Sequence, residues 1–98
     1  MRYRHANSTL QRMDENPDDD AGQAPAVARA FRMRMNLIRA ARNETDFYAF
    51  KSLHFEKLRG DRSHQRSMRL NRQFRLIVEI ERRPGGNVIV VIDIEDYH

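Results

Sequence analysis

The sequence predicts an α+β fold in which N-terminal helices pack on a C-terminal antiparallel β-sheet. Apolar residues recur at helical spacing between Ala26 and Arg42, and after Gly60 the period changes to two. The turn sequence Pro84-Gly85-Gly86-Asn87 then separates two strand-like runs, which predicts a hairpin. At 98 residues the chain is one domain, residues 1–98, with room for a single core.

Each element has its own signal. Residues 7–13 predict a short helix, and residues 17–25, rich in Asp and containing Gly22, predict a connecting loop. In the long helix, Val27, Ala30, Phe31, Leu37, Ile38 and Ala41 share one broad face, while Arg29, Arg32, Asn36 and Arg39 lie opposite. Arg34 projects from the middle of that apolar face, where its stem snorkels to the helix edge or its head meets a core-edge carboxylate. Asn43, with Asp46 three positions on, predicts a capped short helix through Phe50, whose aromatics Phe47, Tyr48 and Phe50 are assigned mostly to the core. Residues 65–71, 74–81 and 87–96 then alternate or run β-branched, as three strands of a meander do.

Composition narrows the function. No run approaches the roughly 20 apolar residues that span a bilayer, so no membrane association is expected. The first eight residues lack an apolar core, which predicts no secretory signal. The absence of Cys removes disulfides and thiol catalysis, and fits a reducing cytoplasm. The net charge is +4 with a pI near 10.1, and 16 of the 18 basic residues are arginine. Arginine offers a planar fork that suits phosphate and carboxylate, so the bias points to an anionic partner. The charge is also uneven. Residues 57–75 hold Lys57, Arg59, Arg62, Arg66, Arg69, Arg72 and Arg75 against the one acid Asp61, which predicts a polyanion site.

Strand alternation groups these side chains. If Phe74, Leu76, Val78 and Ile80 face the helices, Arg75 faces away, and Arg69 and Asn71 lie beside it as a phosphate site. Ile77 shares that face, and Asp96-Tyr97-His98 leave the neighbouring strand at its rim. The histidines, His5, His54, His64 and His98, have no partner at metal-ligand spacing, so no metal site is expected. Neither a phosphate-binding glycine loop nor a Gly-x-Ser-x-Gly elbow is present, and no cofactor is expected. Arginines with His, Tyr and carboxylates permit a metal-free ribonuclease: a base takes the ribose 2′ proton, cations stabilise the phosphoryl group, and an acid protonates the leaving 5′ oxygen.

Three segments in order carry a resemblance: Leu58-Arg59-Gly60-Asp61-Arg62, then Ser67-Met68-Arg69-Leu70-Asn71-Arg72-Gln73-Phe74-Arg75-Leu76, then Ile94-Glu95-Asp96-Tyr97-His98. Together they resemble the HigB-type toxins of the RelE/ParE superfamily, over about residues 26–98. The resemblance implies a type II toxin that cuts mRNA in the ribosomal decoding site and is neutralised by a helix-turn-helix antitoxin of HigA type. It assigns the scissile phosphate to Arg75, with Arg69 and Asn71 lining the same site and Arg59 in place of the family's Lys. Arg62 and Arg66 extend the RNA-binding set, and Asp96, Tyr97 and His98 form the acid/base end, with Tyr97 also able to stack on a base. Where several members carry His three residues before that Lys, this chain has Glu56, with His54 two residues further back; either Glu56 or His54 replaces that His as a proton-transfer group, Glu56 being the catalytic candidate, or catalysis is weaker. The alternatives are a ParE-like gyrase poison and a non-catalytic RNA- or ribosome-binding module. The terminal Asp96-Tyr97-His98 favours the ribonuclease, because a pure binder has no use for His and carboxylate at the rim of an arginine site.

Overall fold

The computed structural model describes residues 1–97, so His98 lies outside the described residues. In chain order the elements are β1 (Arg2–His5), α1 (Ser8–Glu15), α2 (Pro25–Ala40), α3 (Thr45–Ala49), β2 (Glu56–Lys57), β3 (Gln65–Arg69), β4 (Phe74–Glu81) and β5 (Val88–Asp96), with 3₁₀ turns at Lys51–Leu53 and Gly60–Arg62. The five strands form one sheet in the order β1-β5-β4-β3-β2.

The expected helices and meander are present, and the fold is α+β. One expectation needs correction: the sheet is mixed, because β1 pairs parallel to β5 while all other pairs are antiparallel. The four residues of β1 carry no apolar alternation. Tyr3 and His5 face inward instead, each a ring with a polar tip, and His5 bonds Asp14 at 3.0 Å.

Asn7 caps α1, its side-chain oxygen accepting from the N–H groups of Thr9 and Leu10 at 2.9 and 3.2 Å. Pro25 opens α2, where its missing N–H costs no hydrogen bond. The buried stripe of α2 is Val27, Ala28, Phe31, Met35 and Ile38, which pack with Leu10, Met13, Met68, Leu76, Val78, Ile89 and Val91 over one face of the sheet. Arg34 is half-buried, and its head group bonds a backbone carbonyl rather than a carboxylate among the described residues. Its Nε donates to the Arg69 carbonyl at 2.8 Å, and burial lowers its pKa from the ordinary arginine value. In α3 only Phe47 is buried, whereas Tyr48 and Phe50 are 55% and 51% exposed. A five-residue helix turns only one side inward, so the expectation that these aromatics are mostly core is corrected: of the three, Phe47 alone is buried. Phe50 instead joins Met33, Leu37, Ala40 and Ala41 in an open apolar groove on the outer side of α2.

β5 contains a register shift that governs the far face of the sheet. Val78 pairs with Val91 but Ile77 pairs with Asp93, leaving Ile92 as an extra residue. Ile89 and Val91 point into the core; after the bulge the parity is reversed, and Asp93 and Glu95 stand on the face of Ile77 and Arg75.

Candidate functional site

On the face away from the helices, cross-strand partners form two rows. Glu56, Ser67, Ile77 and Asp93 make one, and Arg69, Arg75 and Glu95 make the next. Arg75 occupies the middle of the second row and is 6% exposed. Its Nη2 donates to the His54 carbonyl at 2.6 Å, and the Tyr97 ring covers its guanidinium, with Cζ 4.7 Å from the ring centroid. The Arg75 Nε and the Ser67 hydroxyl, both buried on this face, have no hydrogen-bond partner among the described residues.

The last described residues are held by Gln73, in the turn between β3 and β4. Its carbonyl accepts from the Tyr97 N–H at 2.6 Å, and its side-chain amide donates to Asp96 at 3.0 Å. Tyr97 also closes one side of a cleft of about 490 Å³ whose other walls are Glu56, Lys57, Leu58 and Arg59. Through Tyr97, Arg75 adjoins the cleft of Glu56 and Arg59, whereas Asp96 pairs with Phe74 and so leaves β5 on the face opposite Arg75, where it accepts from the Gln73 amide. Arg69 joins through His54, its Nη1 lying 3.3 Å from the His54 Nε2. His54 has φ 46° and ψ 52°, a left-handed conformation that costs an L-residue about 1 kcal/mol.

The remaining predicted residues stand elsewhere. Arg62 clamps Glu95 with two bonds of 2.9 and 2.7 Å and also donates to Gln65, and the Glu95 carboxylate raises its pKa above the ordinary arginine value. Arg66 pairs with Val78, so it leaves β3 on the helix side, where it donates to the Ser63 and Gln65 carbonyls. Asn71 builds the turn: its side-chain oxygen accepts from the N–H groups of Gln73 and Phe74 at 2.9 and 2.7 Å. Three residues that sequence reasoning did not place in the site are His54, Gln73 and Glu95. Gln73 had a signal in its position two residues after a turn-forming Asn71. Among the described residues, no group of three His, Cys, Asp or Glu side chains converges to hold a metal ion.

A family model described as the RelE-like toxin HigB of type II toxin-antitoxin systems matches residues 3–98. The chain belongs to the HigB-like toxin family. This HigB-like toxin is similar in structure to the YoeB/ParE toxin from Agrobacterium tumefaciens, with a TM-score of 0.62 over 100% of both chains at 17% identity, which shows a shared fold. No curated protein matches its sequence. Membership in a toxin–antitoxin family implies an antitoxin as partner of this HigB-like toxin. No helix among its described residues is long and apolar enough to cross a membrane.

Proposed function

We propose that this HigB-like toxin is a cytoplasmic endoribonuclease that cuts mRNA on the ribosome, inhibits translation, and is neutralised by a helix-turn-helix antitoxin of HigA type. The observation that supports this best is the buried Arg75 guanidinium, covered by Tyr97 and set beside a cleft that also holds Glu56 and Arg59. A ribose 2′ hydroxyl loses its proton to a base, for which Glu56 is the candidate, and its oxygen attacks the adjacent phosphorus. The bond to the 5′ oxygen breaks, a 2′,3′-cyclic phosphate forms, and an acid from the Asp96-Tyr97-His98 end protonates the leaving oxygen. Arg75, with Arg69 and Arg59, stabilises the extra negative charge on phosphorus in the transition state, so the step calls on no metal ion. Tyr97 leaves Arg75 as the phosphate arrives and stacks on a base of the message.

The test is to map new RNA 5′ ends in a translating extract given purified toxin, with and without ribosomes engaged on the message. Ends that appear only on translated mRNA support the reading. Growth arrest in cells without new RNA 5′ ends, accompanied by broken DNA, would replace it with a gyrase poison.

A further inference from the structure

We infer that His54 is a positioning residue that holds Arg69 and Arg75 as a pair, rather than a group that moves protons. The inference rests on the ribonuclease reading of the same site. Arg69 and Arg75 are direct cross-strand partners, so their guanidiniums start from neighbouring points on one face and repel each other. His54 meets both with lone pairs: its carbonyl accepts from the Arg75 Nη2 at 2.6 Å, and its ring Nε2 lies 3.3 Å from the Arg69 Nη1. Accepting at Nε2 requires the neutral imidazole with its proton on Nδ1. An imidazolium would have no acceptor to offer and would place a third cation beside two others.

The backbone supports the same assignment. His54 is one of two non-glycine residues with positive φ among the described residues, and it caps the 3₁₀ turn Lys51–Leu53 in the left-handed region. That conformation turns the carbonyl toward Arg75 while the ring reaches Arg69. Glycine adopts the same backbone without strain, so a histidine here adds only what its ring can do. The position three residues before Arg59 is Glu56, in the cleft beside Tyr97, and the two roles divide between the two residues. Glu56 faces the substrate cleft, and His54 braces the arginines behind it.

Two variants test this in the full chain. His54→Gly keeps the backbone and the carbonyl but removes the ring; His54→Asn tolerates the left-handed backbone and restores a side-chain acceptor. The glycine variant is expected to melt at the same temperature as the parent or higher. Its single-turnover cutting of mRNA in a translating extract should fall about 10-fold in rate with little change in KM, because a misplaced donor weakens transition-state contacts more than binding. The asparagine variant should recover most of that rate. In parallel, the Arg69 side-chain ¹⁵Nε resonance should broaden in the glycine variant and sharpen again in the asparagine variant. A glycine variant that cuts like the parent, one that loses activity together with its melting transition, or an asparagine variant that fails to rescue overturns the inference. If the parent itself cuts no mRNA, the ribonuclease reading fails, and the arginine resonances alone decide: an unchanged Arg69 signal overturns the positioning role, and a broadened signal rescued by asparagine upholds it.

Discussion

Arg75 and Tyr97 form a stack in which the Tyr97 ring, 51% exposed, covers an arginine that is 6% exposed, with 4.7 Å between the guanidinium carbon and the ring centroid. A desolvated stack of this kind contributes up to about 2 kcal/mol, similar to one charge-assisted hydrogen bond to phosphate. A phosphate that makes two such bonds can therefore displace the ring. Tyr97→Phe should preserve the stack and keep cutting near the parent rate. Tyr97→Ala should lower cutting by about 10-fold or more, since stacking on a base is worth roughly 1–3 kcal/mol. Measured rates on one message decide it: a phenylalanine variant as poor as the alanine variant would assign the hydroxyl, not the ring.

Arg75→Ala should reduce cutting by about 100-fold or more, the loss seen when one preorganised donor to a transition-state charge is removed. Circular dichroism should remain that of the parent, because Arg75 stands on the sheet face away from the helices and the hydrophobic core. Equal cutting at equal protein level would remove Arg75 from the chemistry.

How much of this was readable from sequence depends on the length of each signal. The 16-residue α2 and the strands β4 and β5 repeat their periods often enough to stand out. The strand β1 is four residues long and buries rings with polar tips, so no apolar alternation announces it. The grouping of Arg69 with Arg75 follows from alternation alone, and the pairing register agrees. Glu95 does not follow, because unbroken alternation from Ile89 and Val91 would send it into the core; only the extra residue at Ile92 turns it toward Arg62 and Arg75. Charge counting likewise cannot distinguish Arg59, in the cleft, from Arg66, on the opposite side of β3. What separates them is the side of the strand and the carbonyls nearby, which composition does not record.

Asp46 supplies a pH test that is independent of the catalytic site. Bonds from the Arg42 N–H at 2.9 Å and the Arg42 guanidinium at 3.2 Å hold its carboxyl below the ordinary carboxylate range. A depressed pKa adds stability above the unfolded value, and that stability is lost as pH falls through the folded value. Asp46→Asn should therefore melt earlier than the parent at pH 7, and the two should converge below the carboxylate range. A constant gap at all pH values would mean that packing around α3, not charge, sets the difference.

His98 is assigned to the acid/base end of the site on resemblance, and its removal separates binding from chemistry. A chain ending at Tyr97 keeps the Tyr97 N–H bond to Gln73 and the arginines of the face. It should still associate with ribosomes, while mRNA cutting falls well below that of the parent in the same extract. Undiminished cutting would leave Glu56, Asp96 and Tyr97 as the proton-transfer candidates.

The partners of each arginine predict which ones a polyanion can use. Arg62 already holds Glu95 with two bonds and Arg66 leaves the sheet on the helix side, so neither should release counterions when RNA enters the cleft. Arg59, Arg69 and Arg75 remain. If each neutralises one phosphate of a short single-stranded RNA, log affinity should fall with log salt at a slope of about −2.1, at roughly −0.7 per phosphate. Arg59→Ala should reduce the slope by about 0.7, whereas Arg62→Ala should leave it unchanged and instead lower the melting temperature. That thermal loss should be small, about 0.5–1 kcal/mol, because the Arg62 and Glu95 side chains are 43% and 38% exposed and solvent screens the pair. The two readouts are measured on the same variants by fluorescence anisotropy across a salt series and by thermal melting. A slope that falls equally for Arg59→Ala and Arg62→Ala would show that RNA opens the Glu95 clamp, and the usable surface would then extend along β5.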